Sequence, residues 1–370
     1  MERWYEVVKN QWEVAHAKET SRGPNPLLVF FSSLYGLGLK LRFFSYRGMR
    51  KRSLPGFVVS IGNLTVGGTG KTPAARMLAE WASEQGHRVA VLSRGYGGTY
   101  KKKTLEVSDG NKILALPEEA GDEPYLLAKN LKSVPVILSK KRFRAGMLAH
   151  KKYETNFYVL DDGFQHLLLK RNLDLVLMDA SNPFGNKKLL PGGPLREPVD
   201  HLTRADAFML TRSGMDASAE KTVALLKAKF PGRPVFHSDH LPESIVLPRK
   251  DETHSPEFLK GKRVIAFAGI AAPERFREMI IELGAEPVYF KAFGDHHTYR
   301  NVEILKLITQ KESLKADCLL TTEKDWFRME GPLNEYPDLG YLTVRLSLLS
   351  DENRFFQFIK EKIGADGVLK

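Results

Sequence analysis

Gly67, Gly68, Thr69, Gly70, Lys71 and Thr72 follow an apolar run (Phe57, Val58, Val59, Ile61), and residues of these types at this spacing can hold phosphate. Glycines let the backbone curl until several N–H groups point at one anion, and a following helix adds its positive N-terminal end. In such a loop Lys71 reaches the terminal phosphates of a nucleotide and Thr72 holds a magnesium ion. Thr65 stands where the general pattern GxxxxGK[ST] begins with glycine, so Thr65 and Val66 enter the loop irregularly. A chance glycine-rich turn is the alternative reading.

Four further constellations carry reactive groups. Phe157 to Leu160 runs straight into Asp161 and Asp162, about 90 residues after the loop, as phosphate-loop enzymes do when they set a carboxylate beside magnesium. A turn or helix cap is the alternative for such acids. Asp122, in Gly121 to Pro124, either caps the helix of Tyr125 to Lys129 or takes a proton from an attacking hydroxyl. Asp295, His296 and His297 put two imidazoles beside one acid, which suits capping or a metal site, although spacing alone establishes no metal. Leu190 to Pro198 presents Arg196 and Glu197 from a rigid turn, where they can neutralise phosphate and support magnesium, or merely pair with each other.

The elements that must position these groups follow a strand, loop, helix rhythm. A helix from Ala74 to Gln85 ends at Gly86, and a strand from Arg88 to Leu92 empties into Ser93, Arg94, Gly95, Tyr96, Gly97 and Gly98. Short apolar runs at Pro135 to Leu138, Phe157 to Leu160, Leu173 to Met178 and Ala207 to Leu210 continue a parallel sheet whose loops gather at one edge, where such folds bind ligands. Five prolines between Pro231 and Lys262 mark an inter-domain linker. A second alternating block begins at Val264, with strands at Val264 to Ala268, Val288 to Phe290, Cys318 to Leu320 and Tyr341 to Arg345, and helices at Glu274 to Leu283 and Val302 to Ile308. The last helix, Glu352 to Ile363, can pack on either domain. The expected division is 1–52 as an extension with an interfacial helix, 53–230 as a P-loop domain, 231–262 as linker and 263–370 as a smaller α/β domain.

With 370 residues, 42% of them hydrophobic and 27% charged, the chain has an ordinary globular composition. Its single cysteine, Cys318, excludes an internal disulfide framework and cysteine-rich zinc sites, and fits a reducing compartment. The net charge is +12, and half of it lies in Lys40, Arg42, Arg47, Arg50, Lys51 and Arg52. Just before them, the 13 residues from Leu27 to Leu39 carry no charge, a run shorter than the about 20 needed to cross a bilayer. Glu2, Glu6, Glu13 and Glu19 upstream do not fit a signal peptide. Leu27, Phe31, Leu34 and Leu41 fit one face of a core helix, but Phe30, Leu37 and Phe44 widen the apolar surface beside basic residues, which favours an in-plane membrane anchor over Leu27 to Arg52. Aromatic residues beside an unbroken apolar run favour lipid over nucleic acid.

In this order, GNLTVGGTGKTP, SRGYGG, GDEP, VLDDGFQH, LPGGPLREP, FGDHHTY and TTEKD resemble the tetraacyldisaccharide 4′-kinase family of lipid A biosynthesis, from about Leu27 to Asp325. The Thr65 departure is similar to that family's own loop. The resemblance implies a P-loop-type α/β domain, a second α/β domain, and transfer of the ATP γ-phosphate to the 4′-hydroxyl of an acylated disaccharide 1-phosphate, giving lipid IVA. The expected setting is the cytoplasmic face of a Gram-negative inner membrane, held peripherally, with ATP and Mg2+ as cofactors and the chain acting as a monomer. Carried over by motif, Thr65 to Thr72 bind nucleotide, Lys71 contributes to catalysis, and Asp122 is the base with His296 tuning it. Thr72, Asp161, Asp162 and Glu197 lie at the metal, and Arg94, Tyr96, Arg142 and Arg196 meet substrate. Gly294 replaces the proline of the family's FPDHH form, and Lys141 stands where an acid is common, so only Arg142 is carried over there. The residues alone leave open a P-loop NTPase switch or assembly factor, or a kinase of a soluble metabolite.

Overall fold

The computed structural model describes residues 26–214, 217–329 and 336–367, arranged about two sheets. Fourteen strands are present among these residues: β1 Phe57–Asn63, β2 Val89–Ser93, β3 Leu105–Ser108, β4 Val136–Leu138, β5 Phe157–Leu160, β6 Leu173–Asp179, β7 Ala207–Thr211, β8 Val235–His237, β9 Asp239–Leu247, β10 Glu252–His254, β11 Arg263–Ala268, β12 Glu286–Ala292, β13 Cys318–Thr322 and β14 Leu339–Ser347. The first sheet has the order β3-β4-β2-β5-β1-β6-β7-β8, parallel except for β3 at its edge. All seven residues of β1 are buried, because helices cover both faces of a parallel sheet. The carboxyl ends of β1, β2 and β5 therefore lie side by side, and they carry the glycine loop, Arg94 and the Asp161–Asp162 pair.

The second sheet has the order β10-β9-β14-β13-β11-β12, with β9 and β10 antiparallel on an otherwise parallel core. Residues 231–262, expected as a linker, instead complete the first sheet with β8 and start the second with β9, so the chain crosses at Ser238. Prolines misled the expectation: Pro242 sits opposite Val344 where the register slips, so a strand tolerates its missing N–H. The same slip leaves Glu243 to receive both Nη groups of Arg76, on the phosphate-loop helix Lys71–Glu84, at 2.9 and 3.3 Å. The last helix, Glu352–Asp366, returns to the first sheet. Phe355 meets Phe236 edge-on at 5.1 Å and Phe356 stacks on Trp81 at 4.8 Å, which ties this helix to β8 and to the helix after the phosphate loop.

The N-terminal helix runs Pro26–Arg47, 22 residues, which is longer than the uncharged run and, by length and apolar composition, long enough to cross a membrane. One edge is docked: Ser32 donates to the Leu189 carbonyl at 2.8 Å, Tyr35 to the Arg196 carbonyl at 2.9 Å, and Leu39 is buried. On the opposite side Phe30, Leu34, Leu37, Leu41 and Phe44 are exposed, Phe44 by 75%. Helical periodicity separates the two sets cleanly, since positions 32, 35 and 39 recur every three or four residues and so do 30, 34, 37, 41 and 44. The expected extension before Pro26 lies outside the described residues.

Candidate active site

The glycine loop is built by its two ends. Thr65 pairs as an antiparallel bridge with Leu195, and Val66 N–H donates to the Pro194 carbonyl at 2.9 Å. An extended entry of this kind needs no glycine, which accounts physically for Thr65. Gly67 and Gly70 carry the positive φ values, 108° and 79°, that the curl requires. Asn63 donates to Thr69 Oγ1 at 2.8 Å and fixes the middle of the loop. A side chain at Gly70 would meet the His240 ring at 2.8 Å, and Arg212 donates to the Gly68 carbonyl at 2.8 Å and to Asp179 at 2.7 Å. Burial, with Arg212 nearby, pushes His240 down to about 4, so the ring over the loop is neutral. His240, Arg212 and Asp179 were missed in the sequence. The last two stand at ends of β6 and β7, on the loop edge, and that position was the available signal.

Lys71 and Thr72 open the helix and are both buried. Burial pushes the Lys71 ammonium down, against the pull of Asp162, whose oxygen is 3.7 Å away. Arg196 Nη1 reaches both Asp162 oxygens, at 2.9 and 2.8 Å. Burial raises the proton affinity of Asp162, but Lys71 and Arg196 outweigh it and hold the carboxylate ionised. Asp161 differs. Its Oδ2 accepts from Ser93 at 3.1 Å, its Oδ1 is buried without a hydrogen-bond partner, and burial, then Glu123 and Asp162, push its acidity down. Such an oxygen fits a hard divalent cation, which would supply the missing charge.

No group of three or more His, Cys, Asp or Glu side chains suited to a metal occurs among the described residues. A magnesium ion here would therefore draw on Asp161, the Thr72 hydroxyl and nucleotide oxygens. Glu197, expected at the metal, is 1% exposed and accepts from Arg204 at 2.7 Å and His201 at 3.1 Å. Arg142, expected at substrate, is also buried; it donates to the Ser139 and Asp161 carbonyls at 3.3 and 3.2 Å, beneath the acidic pair. Burial lowers it to about 10. Arg94 and Tyr96 stand at the rim, Tyr96 exposed by 82%.

The second sheet brings His296 to Asp122. His296 Nδ1 lies 3.3 Å from Asp122 Oδ2, although 174 positions separate them in the chain. His296 adopts φ 58°, a left-handed conformation that β-branched residues avoid and that hydrogen bonds from its N–H to Asp295 and the Gly269 carbonyl hold. His297 turns the other way, 3.1 Å from Glu303 and stacked on Phe293 at 4.6 Å, so the two imidazoles divide into one in the cleft and one supporting the loop. Sequence reading missed Arg328, whose Nε donates to Asp122 Oδ2 at 2.6 Å, and Lys324, which donates to Glu123 at 2.9 Å. Burial raises Asp122, but His296 and Arg328 overcome it and hold the carboxyl at about 2.

All the expected catalytic, metal and substrate side chains line one cleft of about 2050 Å³ between the sheets, together with Tyr35, Leu39, Arg42 and Tyr46 of the N-terminal helix. That exceeds the roughly 300–1,000 Å³ of a small-molecule pocket and leaves room for a nucleotide and a bulky acceptor.

Comparison with known proteins places the chain in a family. A family model described as tetraacyldisaccharide-1-P 4′-kinase matches residues 24–364. The tetraacyldisaccharide 4′-kinase of Pelobacter propionicus is 40% identical over 325 residues, 87% of this chain and 88% of that protein. Its namesake from Desulfatibacillum aliphaticivorans is 40% identical over 350 residues, 91% and 92% of the two chains. Among solved structures, LpxK of Aquifex aeolicus in complex with ATP superimposes with a TM-score of 0.73 at 33% identity, covering 90% of this chain and 97% of that one.

Proposed function

We infer the mechanism from one premise: the chain belongs to the tetraacyldisaccharide 4′-kinase family. Its reaction is the ATP-dependent phosphorylation of the 4′-hydroxyl of tetraacyldisaccharide 1-phosphate to lipid IVA. The observation that carries this reading is the single cleft in which a phosphate loop on one sheet faces Asp122 and His296, joined across the two sheets. The division into a P-loop lobe and a smaller lobe gives each reactant its own support.

A sugar hydroxyl is a weak nucleophile, so catalysis consists of aligning it with the γ-phosphate and neutralising charge. Residues 65–72 wrap the phosphates, with Lys71 on the transferred group. Thr72 and Asp161 are the residues that would hold Mg2+, which would supply positive charge to the phosphates when bound. Asp162 keeps Lys71 and Arg196 in register, and Arg196 remains available to an incoming phosphate. Asp122 takes the hydroxyl proton late in transfer, and His296 assists it. Glu197 orients Arg204 and His201 below the substrate side, while Arg94 and Tyr96 meet the sugar or its phosphate at the rim. Incubating the pure protein with magnesium, ATP and the acylated disaccharide 1-phosphate yields a lipid heavier by one phosphate. Free phosphate without that lipid would instead support a switch NTPase.

The family works on lipid at the inner membrane. We place this chain on the cytoplasmic face, where ATP is available, with the N-terminal helix lying in the interface. Its docked edge on the Leu189 and Arg196 loop leaves only the outer face for lipid, and the basic residues from Lys40 to Arg52 meet anionic head groups. Substituting Phe30, Leu37 and Phe44 together by aspartate spares the docked edge and lowers binding to anionic vesicles by on the order of 100-fold or more, since each side chain forfeits about 1.5–3 kcal/mol of burial. Unchanged co-sedimentation would remove the in-plane anchor.

A further inference from the structure

The motif Thr321 to Asp325 is part of the family resemblance yet holds no role in the mechanism above. It starts the helical turn Glu323–Trp326, which ends near Arg328. Asp325 is completely buried and accepts from Gly269 N–H at 3.0 Å and from Thr322 Oγ1 at 2.7 Å. On this anchor stands Arg328, its side chain 6% exposed. Nη1 donates to Asp325 at 3.2 Å and to the Gly269 carbonyl at 2.8 Å, while Nε donates to Asp122 Oδ2 at 2.6 Å. Its remaining nitrogen, Nη2, lies 3.2 Å from His296 Nδ1.

We propose that Arg328 is a positioning residue for phosphoryl transfer: it fixes the Asp122 carboxylate beside His296. The inference rests on the kinase reading above. Both Arg328 and His296 fall on Oδ2 of Asp122, and among the described residues no hydrogen bond reaches Oδ1. Oδ1 is then the atom that accepts the proton when the 4′-O–H bond breaks, the new P–O bond forms and ADP leaves. A lysine four residues earlier, Lys324, takes the neighbouring Glu123 at 2.9 Å, so one helical turn of the second sheet grips two consecutive acids of the first. The doubled grip prevents the carboxylate from swinging away with its own helix.

The test compares wild type, Arg328→Met and Arg328→Lys as full chains, measuring lipid phosphorylation against pH, KM for ATP and Tm. The wild type must make the phosphorylated lipid; if it does not, the kinase reading fails and not this inference alone. Arg328→Met lowers kcat about 50-fold or more with KM for ATP changed less than twofold. It also moves the acid limb of kcat/KM to higher pH, because burial then raises Asp122 unopposed by the guanidinium. The charged groups around it are His296, Glu123 and Lys324, with Asp295 and Asp325 on the arginine's far side; Asp122, His296, Asp325 and the Gly269 carbonyl lose a contact, while Asp325 keeps Gly269 N–H and Thr322. Arg328→Lys keeps a charge but only one directed contact, so it restores the acid limb and a minor part of kcat. Wild-type kcat in either variant overturns the proposal, as does a fall in kcat with an unmoved acid limb and no rescue by lysine. Should Arg328→Met not fold, the lysine variant decides alone: kcat within threefold of wild type overturns the proposal, and a larger loss with unchanged KM for ATP supports it.

Discussion

Lys71→Met abolishes lipid phosphorylation, lowering kcat/KM by on the order of 10³-fold or more, yet melts no lower than the wild type. The two halves of this result come from one burial. Lys71 is 8% exposed, and desolvation pushes its ammonium below the ordinary lysine value. A lysine whose folded value lies below its unfolded one binds fewer protons in the native state, so stability rises with pH across that interval and the charge is a liability below it. Methionine matches the stem, fills the space and removes the charge. Asp162 is not orphaned, because Arg196 still grips both its oxygens. The charge that weakens the resting fold is the one that neutralises the transferred phosphoryl group, a preorganised donor of the kind whose loss removes several kcal/mol from the barrier difference. A drop in Tm of several degrees would show that Lys71 supports the fold and would sink the account. Steady-state kinetics and a melting curve on one preparation suffice.

Much of the fold was readable because its signals are local. The strand expected at Phe157 to Leu160 is β5 without change, and the helices after Lys71, Pro273 and Asn301 begin within a few residues of their expected starts. Apolar runs closed by glycine or acid suffice for a parallel sheet with helices on both faces. What escaped lies where tertiary pairing overrides local chemistry. The residues from Pro231 to Lys262 read as a linker since proline is poor in strands, and only the pairing of β9 with β14 shows how a bulge accommodates it.

The site follows the same division. Lys71, Asp122 and Asp161 announce themselves through loops and strand ends, and the cleft gathers them. Arg328 and Lys324 have no such signature, since a basic residue on a short helical turn is ordinary in sequence. Their partners, Asp122 and Glu123, lie about 200 positions away, and only the facing of the two sheets connects them. Glu197 is a different case. An acid beside an arginine in a rigid turn suggests metal, and the fold adds what the sequence does not show: Arg204 and His201 from the following turn, both on its Oε2.

Asp122→Ala and His296→Ala each slow phosphorylation, Asp122→Ala by about 10²–10³-fold, and the double variant is slower than Asp122→Ala by less than about threefold. Held at about 2, the Asp122 carboxyl is a weak base, far below the basicity needed to strip a resting sugar hydroxyl. In a loose phosphoryl-transfer transition state the hydroxyl proton becomes acidic only as the P–O bond forms, so a weak base in the right place suffices and its position matters more than its strength. Above pH 4 Asp122 is ionised in the folded protein, and its ion pairs contribute stability that is lost only as pH falls from about 3.8 through about 2. His296 acts through Asp122: its Nδ1 lies within reach of the same Oδ2, and without the carboxylate the imidazole has nothing to assist. Two residues serving one proton should therefore fail as a unit. Losses that multiply in the double variant would mean that His296 meets the substrate or phosphate independently, and the pairing across the cleft would then be an arrangement of the resting state alone.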